Sequence, residues 1–229
     1  MSPLMSTDFP NLLHRGKVRD TYALGEDMLL MVATDRISAF DVVLPTGIPN
    51  KGVVLNRMSA FWFQKIAHIM PNHFVGFPTE TTSGAVSTAL WLDFLPEITK
   101  RAMVVWKAER IDIECIVRGY ITGSAWAEYR RQGAVSGKPM PKGMVEGDKF
   151  PTPIFTPTTK AETGHDQNMT DQQVEDMVGM ELAQQLEQIS KTVYMFAHSY
   201  AGGRGIIVAD TKMEFGLVDD QLILFDELL

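Results

Sequence analysis

The chain has 229 residues, of which 45% are hydrophobic, 21% charged and 9% aromatic; these proportions exclude a disordered or low-complexity protein and leave enough length to bury a sizeable core. A formal net charge of -7 gives duplex nucleic acid no broad cationic surface, so any polyanion site has to be small and local. The single cysteine, Cys115, excludes an intrachain disulfide and a cysteine metal cluster, and with neither a signal h-region nor a membrane-length apolar run in view a cytoplasmic protein is expected.

Residues 1–14 carry Ser, Pro, Asp and Asn without a period and predict a loose arm or an edge strand. Val18 to Leu24 and Met28 to Ala33, separated by Gly25-Glu26-Asp27, read as an antiparallel hairpin. Residues 34–52 are rich in turn formers and predict a long structured loop, the kind that often carries function. From Val54 onward, Leu55, Met58, Phe61, Trp62, Ile66 and Ile69 share one helical face until Pro71. Met103 to Trp106 and Ile111 to Val117 read as buried strands, and Cys115 lies in the second among Ile113, Ile116 and Val117 as a buried thiol. A helix is expected from Ser124, with its hydroxyl as the cap. The Pro- and Gly-rich residues 133–160 predict a loop or flap. Thr170 and Gln173 form a capping box ahead of one long amphipathic helix that runs through Ala197 and stops at Gly202-Gly203. Gly205 to Ala209, Lys212 to Val218 and Leu222 to Phe225 read as strands, the last two joined by an Asp219-Asp220-Gln221 turn.

The segment Ile206-Ile207-Val208-Ala209-Asp210-Thr211-Lys212-Met213-Glu214-Phe215-Gly216 carries the most chemistry. In a strand, Asp210, Lys212 and Glu214 fall on one face, spaced about 7 Å apart. Burying such a ledge without partners would cost several kcal/mol, so it should face a cleft that supplies counter-charges. A divalent metal on the carboxylates and a phosphate on the lysine would satisfy it; the alternative is a solvated edge strand with one internal salt bridge. In Arg15-Gly16-Lys17-Val18-Arg19 a glycine flanked by cations lets the backbone approach an anion, without the Walker spacing, while the alternative is a charged hairpin in water. Val117 to Ser124 delivers an arginine and two glycines to a helix start, where Arg118 could grip a phosphomonoester; equally, Arg118 could pair with Glu128 and Ser124 could only cap. The Thr34 to Asp41 loop and the His165-Asp166 pair read as polar surface, and the remaining histidines lack zinc-ligand spacing.

Taken in order, five blocks resemble the SAICAR synthetase (phosphoribosylaminoimidazole-succinocarboxamide synthase) family, from about residue 12 to residue 229, in its longer-chain branch. They are Gly16 to Asp20, Ala33 to Asp41, Val117 to Trp126, Phe155 to Glu162 and Asp210 to Gly216. The resemblance implies an α+β, two-lobed, ATP-grasp-like fold. Residues 1–106 would form a β-rich lobe covering the nucleotide, and residues 107–229 an α+β lobe with the metal and substrate sites. It implies the substrates ATP, a carboxylated aminoimidazole ribotide and L-aspartate, with Mg²⁺. On the same resemblance Gly16, Lys17 and Arg19 would serve the ATP phosphates, and Arg110 to Asp112 the adenine. Asp210, Glu214 and Asp226 would hold magnesium. Arg118 and Ser124 would bind the ribotide phosphate, Asp41 would sit near the metal and carboxylate, and Lys212 would contact phosphate. The family normally continues beyond Phe225-Asp226-Glu227-Leu228-Leu229 into a segment with a further ribotide-binding arginine, so the resemblance implies either that the sequence is a shortened form or that its substrate site is impaired.

A carboxylate resists amine attack because it is anionic and lacks a leaving group, so ATP has to activate it first; electrostatics and positioning, not a side-chain nucleophile, would carry such a reaction. A small-alcohol kinase and a nucleotide-sensing module without turnover are the rival readings of the same residues.

Overall fold

The computed structural model describes residues 2–39, 42–78, 96–160 and 166–228. Asp41 and His165 lie outside the described residues. The chain divides into two compact units: Met1–Ala67 with Asn72–Glu109, and His68–Pro71 with Arg110–Leu229.

Unit 1 contains β1 (Leu12–Arg15), β2 (Arg19–Leu24), β3 (Met28–Ala33), β4 (Ser38–Ala39), β5 (Val42–Val43), α1 (Lys51–Ile66), β6 (Phe74–Gly76), α2 (Pro96–Thr99) and β7 (Ala102–Trp106). Its main sheet is antiparallel in the order β1-β2-β3-β7-β6, and β4 pairs with β5 in a separate hairpin. Alternation along β2 and β3 buries Tyr22, Leu24, Leu30 and Val32, the period that a sheet with one covered face requires. α1 lays Trp62, Phe63 and Ile66 inward, and Phe63 packs on the His73 and Phe74 rings. Burial of side chains this size contributes roughly 1.5–3 kcal/mol each. Asn50, at the α1 N-cap, makes no side-chain cap bond; instead the Gly52 N–H donates to Asp35 Oδ1 at 3.0 Å, placing an anion where the helix dipole favours one.

Unit 2 contains β8 (Glu109–Tyr120, whose first residue is counted with unit 1), α3 (Gly123–Gln132), β9 (Ala134–Val135), β10 (Lys138–Pro139), β11 (Lys149–Phe155), β12 (Thr158–Thr159), α4 (Asp171–Val178), α5 (Met180–Gly202), β13 (Asp210–Val218) and β14 (Gln221–Phe225). Its principal sheet runs β11-β8-β13-β14, with β12 also on β8. α5 turns Leu186, Val193, Tyr194 and Ala197 inward and packs against β11 and β13. Asp219 and Asp220 both have positive φ and close the β13–β14 hairpin as a two-residue turn that suits the strand twist.

Five local expectations change. On the apolar face expected of the first helix, Leu55 and Met58 are 37% and 45% exposed, and α1 ends at Ile66, before Ile69. The capping box of Thr170 and Gln173 is formed, but the helix it opens ends at Val178, because Gly179 (φ 85, ψ 155) leaves helical space before Met180 starts α5. Residues 133–160 contain the seven-residue β11 despite Pro151 and Pro153, which an edge strand with irregular register tolerates. The 206–209 run forms no strand, and Ile206 and Ile207 stand 60% and 68% exposed. Ser124 caps nothing: α3 begins at Gly123 after Thr122, without a side-chain cap. Among the described residues, no helix is long and apolar enough to cross a membrane.

Candidate active site

In unit 1 the Gly16-Lys17 turn joins β1 to β2, closed by Gly16 N–H donating to Arg19 O at 2.8 Å. The turn is pinned from beneath by Arg36, which donates to the carbonyls of Gly16 (2.9 Å), Lys17 (3.1 Å) and Arg19 (3.2 Å) and to Asp20 Oδ1 (2.6 Å). A guanidinium spent on three carbonyls of one turn fixes its shape at low entropy cost. The loop that looked like ordinary polar surface therefore supplies a clamp. Asp35, its neighbour, takes Arg101 at 2.8 Å.

In unit 2, β8 and β13 are neighbours, and alternation brings their even-numbered residues to one face. Arg118 is the centre of the first group there. Its Nη1 donates to Asp210 Oδ2 at 2.8 Å, its Nη2 to Ser124 Oγ at 3.2 Å and its Nε to Thr156 Oγ1 at 3.2 Å. Arg118 does not pair with Glu128, which is engaged by Gln132, Ser136 N–H and Asn168, and Ser124 accepts from Arg118 instead of capping α3. A guanidinium fork ringed by two hydroxyls beside the start of α3 is matched to a phosphomonoester, with Asp210 holding the fork in place.

The approach to Asp210 is held from α5. The Tyr194 hydroxyl donates to Val208 O at 2.8 Å, and His198 Nδ1 lies 3.3 Å from the same oxygen, its ring stacked on Tyr194. Burial, with the charges of Tyr120 and Asp210, pushes the Tyr194 phenol up to about 12, so it stays a donor. Gly119 N–H donates to Ala209 O at 2.9 Å, and any side chain at 119 would collide with the Tyr194 hydroxyl.

The second group lies further along β8. Glu114 is buried; its Oε1 accepts from Lys212 Nζ at 2.7 Å and lies 3.3 Å from Lys160 Nζ, while Oε2 accepts from Thr158 at 3.2 Å. Lys160 also bonds to Glu214, which is buried. Burial, then the charge of Asp226, holds the Glu214 carboxyl above its usual range, although Lys160 and Lys212 pull the other way. For Lys160, burial works against the charge, but Glu214, Asp226 and Glu114 overcome it and hold the ammonium above its ordinary value. Cys115 is pushed up to about 12, first by burial and then by Glu214 and Glu114, so no thiolate nucleophile exists here.

Among the described residues, no three of His, Cys, Asp and Glu gather as a metal-ion group. Glu214 and Asp226 do act on one another, and a pair of carboxylates is what magnesium takes when phosphates and water complete its shell. Asp210 gives Oδ2 to Arg118 in this structure. Arg110 and Asp112 pair with each other at 2.7 Å, both largely exposed. Arg118, Ser124 and Asp210 are thus brought together, as are Lys212 and Glu214 through Glu114 and Lys160. The sequence reading missed Glu114, Thr156 and Lys160 as partners. The available signal was Glu114 itself, a carboxylate set in an apolar strand run, since buried charges need partners.

A family model described as SAICAR synthetase matches residues 12–228. The phosphoribosylaminoimidazole-succinocarboxamide synthase of Polaromonas sp. (strain JS666) is 49% identical over 220 residues, 95% of this chain and 70% of that one. Its counterpart in Syntrophotalea carbinolica is 49% identical over 229 residues, covering 99% and 75%. Among solved structures, the SAICAR synthase of Saccharomyces cerevisiae complexed with SAICAR superposes with a TM-score of 0.87 at 38% identity, covering 99% of this chain and 76% of that one.

Proposed function

This chain belongs to the SAICAR synthetase family, and from that membership we propose that it is a ligase of purine biosynthesis. It joins L-aspartate to a carboxylated aminoimidazole ribotide and converts ATP to ADP and phosphate. The observation that carries the assignment of roles is the pair of charge groups on one face of the unit 2 sheet, Arg118 with two hydroxyls and two lysines with buried carboxylates. Arg118 and Glu114 are four residues apart on β8, about 13 Å at strand rise, a span suited to a ribotide held at its phosphate by one group and activated at its carboxylate by the other.

Arg118, Ser124 and Thr156 bind the ribotide phosphate; as it docks, it competes with Asp210 for the guanidinium. Lys212, held by Glu114 with its side chain half exposed, offsets charge on the phosphoryl group as it moves to the ribotide carboxylate. Asp210, four residues from Glu214 on β13 and bonded to Arg118, belongs with the ribotide-phosphate group instead of the metal. Glu214 and Asp226 are the residues that would hold Mg²⁺. Bound there, the ion would screen the phosphates and favour loss of ADP. Gly16, Lys17 and Arg19 serve the ATP phosphates through the turn that Arg36 shapes, and Arg110 to Asp112 serve the adenine. Asp41 is assigned near the carboxylate on resemblance. Activation transfers the γ-phosphoryl group of ATP to a carboxylate oxygen and releases ADP; the aspartate amine then attacks the carbonyl carbon, loses a proton, and expels phosphate carrying that oxygen, and holding the amine there contributes up to about 7–11 kcal/mol.

The test is an ADP-release assay in which ATP, Mg²⁺, ribotide and aspartate are omitted one at a time. ADP is expected only with all four. Release indifferent to aspartate would replace the ligase by a small-molecule kinase, and ATP binding without any release would leave a sensing module.

A further inference from the structure

Lys160 stands out because the phosphate contact assigned to Lys212 does not need it, yet it is the more enclosed of the two ammoniums, with its side chain 27% exposed against 50%. Its backbone is fixed by Lys160 N–H donating to Asp112 O, and its stem reaches Glu214, with Glu114 Oε1 3.3 Å from the same nitrogen. Both carboxylates are 4% exposed as residues, and Asp226 acts on Glu214 and on Lys160. Three carboxylates thus share two ammoniums, and the one lying on Glu214 occupies a proposed magnesium ligand. A dication and this ammonium cannot both hold the same carboxylate oxygen at contact distance without strong repulsion. Glu114 supplies the second seat: it is anchored by Thr158, and its Oε1 already lies 3.3 Å from the nitrogen to be displaced.

We infer that Lys160 is a built-in counter-cation of Glu214 and Asp226 that competes with the divalent ion for them. The bare protein therefore binds the metal weakly and takes it up when a polyphosphate brings it. The inference rests on the magnesium assignment above, and it makes Lys160 a determinant of metal affinity separate from any contact with substrate. With the metal absent, the ammonium spares the fold an uncompensated buried Glu214 beside Asp226.

The experiment titrates Mn²⁺ into nucleotide-free protein, following free Mn²⁺ by its electron paramagnetic resonance signal. Lys160→Met should bind Mn²⁺ about tenfold more tightly than the parent, whereas Lys160→Arg, which keeps the charge, should match the parent. Adding Glu214→Gln to Lys160→Met should abolish the gain. Unchanged or weaker binding by Lys160→Met, with Glu214→Gln still lowering Mn²⁺ affinity, overturns the inference and leaves the metal assignment standing. Binding indifferent to Glu214→Gln in both backgrounds overturns the metal assignment first. Should Lys160→Met melt far below the parent, Lys160→Gln is read by the same outcomes.

Discussion

Unit 1 and unit 2 both bury carboxylates beside cations, and they do so to opposite ends. Asp20 accepts from Thr7 N–H, Thr7 Oγ1 and Arg36, and Asp35 accepts from Leu4 N–H, Gly52 N–H and Arg101. Burial alone would raise both carboxyls, but these donors overcome it and hold each below the usual range. Glu214 has Lys160 as its donor, faces another carboxylate, and is held above the usual range. A buried charge whose acceptor sites are all taken is a structural fastening. One left with a like charge beside it and a part-exposed lysine nearby is equipped to receive something from solution.

The largest effect that separates the two should come from Arg101→Met, which strips Asp35 of its cation and should cost about 3–5 kcal/mol of stability. Thermal melts read it, and the enzyme that remains folded should turn over normally. Loss of turnover with an unchanged melt would erase the contrast from the unit 1 side. On the unit 2 side, Lys212→Met should lower kcat about 10²–10³-fold while shifting stability by about 0–1 kcal/mol, because the side chain is half exposed. Steady-state kinetics beside melts decides it.

A smaller and more selective effect is expected of Arg118→Lys. The charge survives but the two-pronged contact does not, so ribotide affinity should fall by about 1.5–3 kcal/mol with ATP affinity kept, as calorimetric titration of each ligand would report. Equal losses for both would take Arg118 out of the ribotide site. The mildest test is acid titration. Asp20 and Asp35 have folded values depressed below the unfolded one, so their stabilisation is complete above the unfolded value near pH 4 and disappears as pH falls through the folded values. Melts from about pH 5 down to 2 should therefore decline in the parent and more shallowly in Asp20→Asn, whose starting stability is lower.

What the sequence made legible was local. The β2–β3 hairpin followed from alternation around Gly25-Glu26-Asp27, and Asp210, Lys212 and Glu214 shared a face because strand period requires it. The break at Gly179 was hidden because apolar spacing continues through it, and only a backbone angle distinguishes a tolerated helical glycine from a terminator. β11 was hidden by Pro151 and Pro153, which exclude a central strand but not an edge one. The apolar run before Asp210 looked like a strand, yet it is held by side chains of α5 instead of a ladder. The site partners were out of reach for a different reason. Thr156 lies 38 residues from Arg118, Lys160 lies 54 from Glu214 and Glu114 lies 98 from Lys212, and no periodicity reports contacts across such separations.

The collision that awaits any side chain at position 119 has an evolutionary corollary. The Tyr194 hydroxyl fills the volume where a Cβ on residue 119 would lie, so the two positions are not free to vary separately. Descent should treat them as one character: lineages that acquire alanine at 119 should carry a shorter residue at 194, and tyrosine at 194 should be found with glycine at 119. The swap has an order as well, since shrinking the tyrosine first opens a cavity, a graded and survivable loss, whereas enlarging the glycine first drives carbon into oxygen beside Arg118. History would therefore have passed through the hole and not through the clash.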